Sequence, residues 1–205
     1  LIFLKGNFQM MFIDRVIHLV LSGIIIVGVY QFYFFTQRHM VRPVKTFNSA
    51  LDEKIPFWPW WSWIYSFLYY PAILYLNWII QDSRQFIIIV FSYVILLLMQ
   101  MFFFVVYPVA TPPHWREMNT GKKASEKFLL FVQKFDDTSN CFPSMHVSVA
   151  TLTALLAYAS LGPWVFMFPL LIALSCMFTK QHYIIDLPAG AVLGWLAYQC
   201  YVVLI

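Results

Sequence analysis

A chain of 205 residues in which 61% of side chains are hydrophobic and only 11% charged is excluded from the ordinary soluble class, where about a quarter of residues are charged. Its net charge is a modest +4, and the composition is that of an integral membrane protein. Three cysteines, Cys141, Cys176 and Cys200, fall singly, so neither a disulfide framework nor a cysteine-based metal site is expected.

Apolar runs follow one another at about residues 16–35, 58–80, 86–107, 143–161, 164–178 and 184–205. Four of the six reach the roughly 20 residues that a helix needs to cross about 30 Å of hydrocarbon. The first run lacks a small-residue cleavage pattern and is expected to be retained as a span. Ahead of the second, Trp58, Trp60, Trp61 and Trp63 stand behind Pro56 and Pro59, a cluster that reads as an interfacial aromatic belt. Gly162 and Pro163 separate the fourth run from the fifth, a helix stop followed by a helix start, so these two read as a tight hairpin. No run alternates as a barrel strand does. The expected fold is all-α: one integral membrane domain over residues 1–205, built as a six-transmembrane-helix bundle with no soluble appendage.

Six spans put the loops after the first, third and fifth helices on one face. That face collects ten of the thirteen basic residues, among them Arg116 and Lys180, and it also holds both histidine motifs described next. The positive-inside rule alone places this face in the cytoplasm. A phosphate-binding site also concentrates lysine and arginine, so the charge count leaves the orientation open.

Two short segments carry chemistry. Asn-Cys-Phe-Pro-Ser-Met-His occupies 140–146 and Lys-Gln-His-Tyr-Ile-Ile-Asp occupies 180–186. In the first, Pro143 suits a helix start, which leaves unpaired amides at the aqueous face where they favour an anion. His146 then lies in the first turn, placed to protonate a leaving oxygen while the Ser144 hydroxyl and nearby amides hold phosphate oxygens. In the second, His182 and Asp186 are four apart, so the carboxylate can reach back to one ring nitrogen and leave the other free to attack. Pro188 disfavours helical angles just before it, so the last helix starts or bends near Asp186. Lys180 stands outside, placed to offer a positive charge to phosphate. A histidine at a helix end is ordinarily a satisfied polar group; an aspartate at the edge of a span costs about 2.5 to 3.5 kcal/mol and asks for a function.

These residues resemble the type 2 phosphatidic acid phosphatase superfamily, whose motifs have the form K-x6-R-P, P-S-G-H and S-R-x5-H-x3-D. The resemblance covers roughly residues 43–201. The second motif is present as Pro143-Ser144-Met145-His146, with methionine in place of glycine, and the third keeps Ser175, His182 and Asp186 in register, with Cys176 in place of arginine. The surrounding text is similar to a branch related to inositol phosphorylceramide synthases. The segment 107–116 resembles that branch's first motif, with proline at the arginine position; Arg116 and the nearby lysines are the candidates to replace it.

The resemblance implies that His182 is the nucleophile of a phosphohistidine intermediate, that Asp186 orients it, and that His146 protonates the leaving alkoxide and then activates the acceptor. Ser144, Lys180 and Arg116 are the expected phosphate-binding residues, and neither a metal nor another cofactor is implied. It also favours a site on the non-cytoplasmic face. The expected activity is a membrane lipid phosphatase acting on a phospholipid or isoprenoid phosphate, such as phosphatidate, phosphatidylglycerophosphate or a polyprenyl diphosphate; membrane lipids are the expected partners and nucleic acid is not. Three alternatives stay open. A lipid phosphotransferase would pass the phosphoryl or phospho-headgroup to an alcohol or a second lipid. A metal-dependent membrane hydrolase would use His114, His146, His182 and Asp186 as ligands, although no His-Glu-x-x-His is present. A non-catalytic transporter or scaffold would keep only the fold.

Overall fold

The computed structural model describes residues 12–47, 49–135 and 139–205, and these are helical with connecting loops and turns. Helix α1 runs Phe12–Arg38, and α2 is a short helix Ala50–Lys54. A 3₁₀ turn at Pro59–Trp61 leads into α3 (Ser62–Phe67) and α4 (Tyr69–Ile79), and α5 runs Ser83–Val106. After α6 (Pro113–Glu117) and α7 (Ala124–Gln133) come α8 (Met145–Leu161), a 3₁₀ turn Gly162–Phe166, α9 (Met167–Phe178) and α10 (Asp186–Leu204).

Four helical stretches among the described residues are long and apolar enough to cross a membrane: Phe12–Arg38, Ser83–Val106, Met145–Phe178 and Asp186–Leu204. Helix α1 buries only His18, Thr36 and Gln37 within the chain, while Ile17, Val20, Ile24 and Val27 face outward. Water would penalise that surface and hydrocarbon would not, so the helix is consistent with an integral membrane protein.

The six expected runs are not six unbroken helices. The stretch expected over 58–80 is divided at Leu68. Pro71 accounts for this, because its ring lacks an N–H and crowds the carbonyl four residues earlier, that of Phe67. The pair expected over 143–161 and 164–178 is separated at Gly162, whose φ of +59° is one that L-residues rarely adopt. Helix α9 then folds back along α8, so that Ile172 and Cys176 from its middle and last turn join Val147 and Ala150 of the first turns of α8 in one buried cluster.

Helix α10 lies closest to α8. A β-carbon added to Gly190 would stand 2.4 Å from the carbonyl oxygen of Ser144, and one added to Gly194 would stand 2.4 Å from that of Ser148. The two glycines are four apart, the small-xxx-small spacing that lets helix backbones touch in lipid. Because the obstructing atoms are backbone, the helices would have to separate, and Gly190→Ala is expected to cost about 1–3 kcal/mol. A thermal inactivation midpoint lower than the parent's checks this.

Candidate active site

The loops below the helices are stitched to one another before they carry any chemistry. Ala110 donates its N–H to the Lys45 carbonyl at 2.8 Å, Lys45 to Pro108 at 3.0 Å, and Cys141 to Val109 at 2.9 Å. Tyr183, 1% exposed, donates its hydroxyl to the Ala110 carbonyl and accepts from the Phe47 N–H, each at 3.0 Å. Burial pushes its phenol up to about 12. The ring packs against Trp115 and Phe47, so the residue next to His182 is fixed from both sides.

Ser144 caps α8, accepting from the Val147 N–H, and donates its own N–H to the Asp186 carbonyl at 3.0 Å. That bond ties the start of α8 to the start of α10 and brings the two motifs together. The His146 and His182 rings lie 5.7 Å apart between centroids, inclined at 64°. Both line one small cavity with Tyr33, Tyr65, Asn140 and Cys141.

The tautomer of His182 follows from its partners. Nδ1 lies 2.9 Å from the Cys141 carbonyl oxygen and 3.3 Å from Asp186 Oδ2. Both are acceptors when the carboxyl is ionised, so Nδ1 carries the hydrogen and Nε2 keeps its lone pair. Asp186 is fully buried, and its Oδ2 also accepts from the Tyr183 N–H at 2.8 Å and the Cys141 thiol at 2.9 Å. Its Oδ1 is buried and has no hydrogen-bond partner among the described residues, an unmet acceptor of the kind that concentrates at functional sites.

The expected site residues therefore divide. His146, His182 and Asp186 come together. Ser144 is wholly buried as a helix cap and does not line the cavity. Lys180 and Arg116 do not line the cavity. Lys180, 2% exposed, directs its ammonium to the Asp52 carbonyl oxygen and lies 4.7 Å over the Trp115 ring. Burial lowers its pKa, with the Glu53 and Asp52 carboxylates opposing. Its backbone holds φ +57° at the end of α9, where Lys180 N–H to Met177 and Gln181 N–H to Cys176 complete the capping pattern that glycine usually serves. Arg116 donates to the Gln133 carbonyl at 3.3 Å, holding the end of α7. His114 is half-exposed and paired with Glu53 at 3.1 Å, so the four-ligand set His114, His146, His182 and Asp186 is not assembled. Two smaller groups do gather metal-ligand atoms within 4.8 Å of one another: His146, Cys176 and His182, and Cys141, His182 and Asp186.

Three participants were not marked by the sequence reading. Cys141 is bonded to Asp186. Tyr65 bonds His146 Nδ1 at 3.2 Å. Asp52, 3% exposed, accepts the Ile184 N–H at 2.7 Å while its carbonyl holds Lys180, so α2 clamps the His182 loop at two points. Cys141 sits inside the first motif and could have been marked there; the other two are brought in from α2 and α3. Asp52→Ala removes the side-chain point of the clamp and strands the Ile184 N–H, at about 1–3 kcal/mol of stability. It is expected to lower kcat more than it raises KM, read from steady-state kinetics beside the thermal midpoint.

Comparison with curated proteins and with solved structures finds no match. A family model described as the PAP2 superfamily matches residues 31–200, a stretch that contains both histidines, Asp186 and the loops that hold them. The chain belongs to the PAP2 superfamily, that of the type 2 phosphatidic acid phosphatases.

Proposed function

We propose that this chain is an integral membrane lipid phosphatase, six-crossing in topology, that works through a phosphohistidine on His182. Membership of the superfamily suggests phosphatase or phosphotransferase-type activity. The observation that carries the finer reading is the pair of acceptors facing His182 Nδ1, which leaves Nε2 as a nucleophile at the same cavity as His146.

In the first step Nε2 attacks phosphorus, the bond from phosphorus to the lipid oxygen breaks, and His146 gives that oxygen a proton. In the second, water attacks phosphorus, His146 takes the water's proton, and the bond from phosphorus to Nε2 breaks to release phosphate. Asp186 stabilises the positive charge that the phosphorylated imidazole carries. General acid help from His146 is expected to contribute about 10²–10⁴ in rate.

A second reading has its own support. Among the described residues the cavity wall carries no lysine or arginine. A phosphodiester brings a single negative charge where a monoester brings up to two, so a wall without fixed cations suits transfer of a phospho-headgroup to an alcohol or second lipid. Purified protein given phosphatidate or a polyprenyl diphosphate, and separately a headgroup-labelled phosphodiester lipid, separates the readings. Free phosphate release that persists in chelator supports the metal-independent phosphatase. Headgroup label that appears on an added lipid alcohol, with no free phosphate, supports the transferase. Loss of all turnover in chelator overturns metal independence, and no turnover before chelator is added leaves a scaffold.

A further inference from the structure

We propose that Tyr65 is the positioning residue of His146, its phenol oxygen accepting the Nδ1 hydrogen so that Nε2 alone shuttles the proton. This rests on the reading of His146 as the acid and base. An imidazole that gives a proton from Nε2 in one half-reaction and takes one back in the next keeps its Nδ1 hydrogen throughout. That hydrogen needs an acceptor, and the Tyr65 hydroxyl stands 3.2 Å from Nδ1.

Tyr65 lies on α3, 7% exposed, with its ring centroid 4.1 Å from that of His146 and inclined at 31°. Tyr69, near the start of α4, donates its hydroxyl to the His146 carbonyl at 2.7 Å. The α3–α4 segment therefore holds the histidine by its ring face, its Nδ1 and its backbone.

The two histidines differ in what stands behind them. His182 has a carboxylate, Asp186, suited to an imidazole that becomes cationic when phosphorylated. A neutral phenol fixes the tautomer and the ring plane while leaving the proton free to move. Without the hydroxyl, both tautomers and both ring orientations are accessible, and only part of the population presents a proton from Nε2. The attack by His182 does not depend on it.

The test compares the parent with Tyr65→Phe, which keeps the ring stack, on two phosphate monoesters. The diacylglycerol of phosphatidate leaves as a strongly basic alkoxide that requires a proton; the nitrophenolate of nitrophenyl phosphate leaves as a stable anion that does not. The rate of phosphoenzyme formation is read per site, with sites counted by the nitrophenolate burst. Tyr65→Phe is expected to slow the reaction with phosphatidate about 10- to 100-fold and that with nitrophenyl phosphate less than about 3-fold. An equal fall on both esters, no fall on either, or a variant that no longer forms the phosphoenzyme overturns the assignment and leaves Tyr65 a packing residue. A parent that forms no phosphoenzyme from either ester overturns the functional reading itself, and the role of Tyr65 with it.

Discussion

Replacing His182 by alanine is expected to abolish phosphate release and to leave the fold in place. The substitution removes the only nitrogen that the account assigns to attack, and no water held in its place forms the same covalent intermediate. The structural cost is small by comparison. His182 lines the cavity, and its loss deletes one bifurcated bond from Nδ1 to the Cys141 carbonyl and Asp186. Asp186 Oδ2 keeps the Tyr183 N–H and the Cys141 thiol as donors, so about 1 kcal/mol of stability is at risk. Turnover below detection beside a thermal midpoint within a few degrees of the parent's checks both halves. A chain that fails to fold would assign His182 to architecture.

Asp186→Asn is expected to lower kcat on the order of 10³ to 10⁴, the size found when the carboxylate behind a catalytic histidine becomes an amide. Oδ2 accepts from three donors at once: His182 Nδ1, the Tyr183 N–H and the Cys141 thiol. An amide has one oxygen and an NH₂ group, and the NH₂ finds only an unpaired buried position or a clash with those donors. With the charge gone, the phosphorylated imidazole loses its counter-ion, so formation of the intermediate slows while KM changes little. Single-turnover phosphorylation of the variant measures this. A drop confined to KM would place Asp186 in substrate binding.

The grouping of the candidate site residues was legible because it is local. His182 and Asp186 are four residues apart, and Ser144 and His146 straddle a helix start, so spacing alone brings each pair together. Gly162 and Pro163 mark the hairpin for the same reason, and Gly190 and Gly194 carry a spacing that could have announced the close approach of α8 and α10. Pro71 could have marked the break at Leu68, which the sequence reading passed over because the apolar run conceals it. The partners that fix the site came from far along the chain: Tyr65 reaches His146 across 81 residues and Asp52 reaches Ile184 across 132. No periodicity reports such contacts. Charge was the least legible signal. Arg116 and Lys180 lie beside the motifs in sequence, but one holds the end of α7 and the other a carbonyl of α2, because a long cationic side chain finds the nearest buried acceptor.

The central claim is that His182 carries the phosphoryl group between the two half-reactions. Rapid quenching of the purified parent with labelled phosphatidate, followed by mapping of the label, tests it most directly. An acid-labile, alkali-stable phosphate on His182 is expected, appearing before free phosphate and absent from His182→Ala. Label on another residue such as Cys141, or steady turnover with no labelled protein at any time, would contradict it.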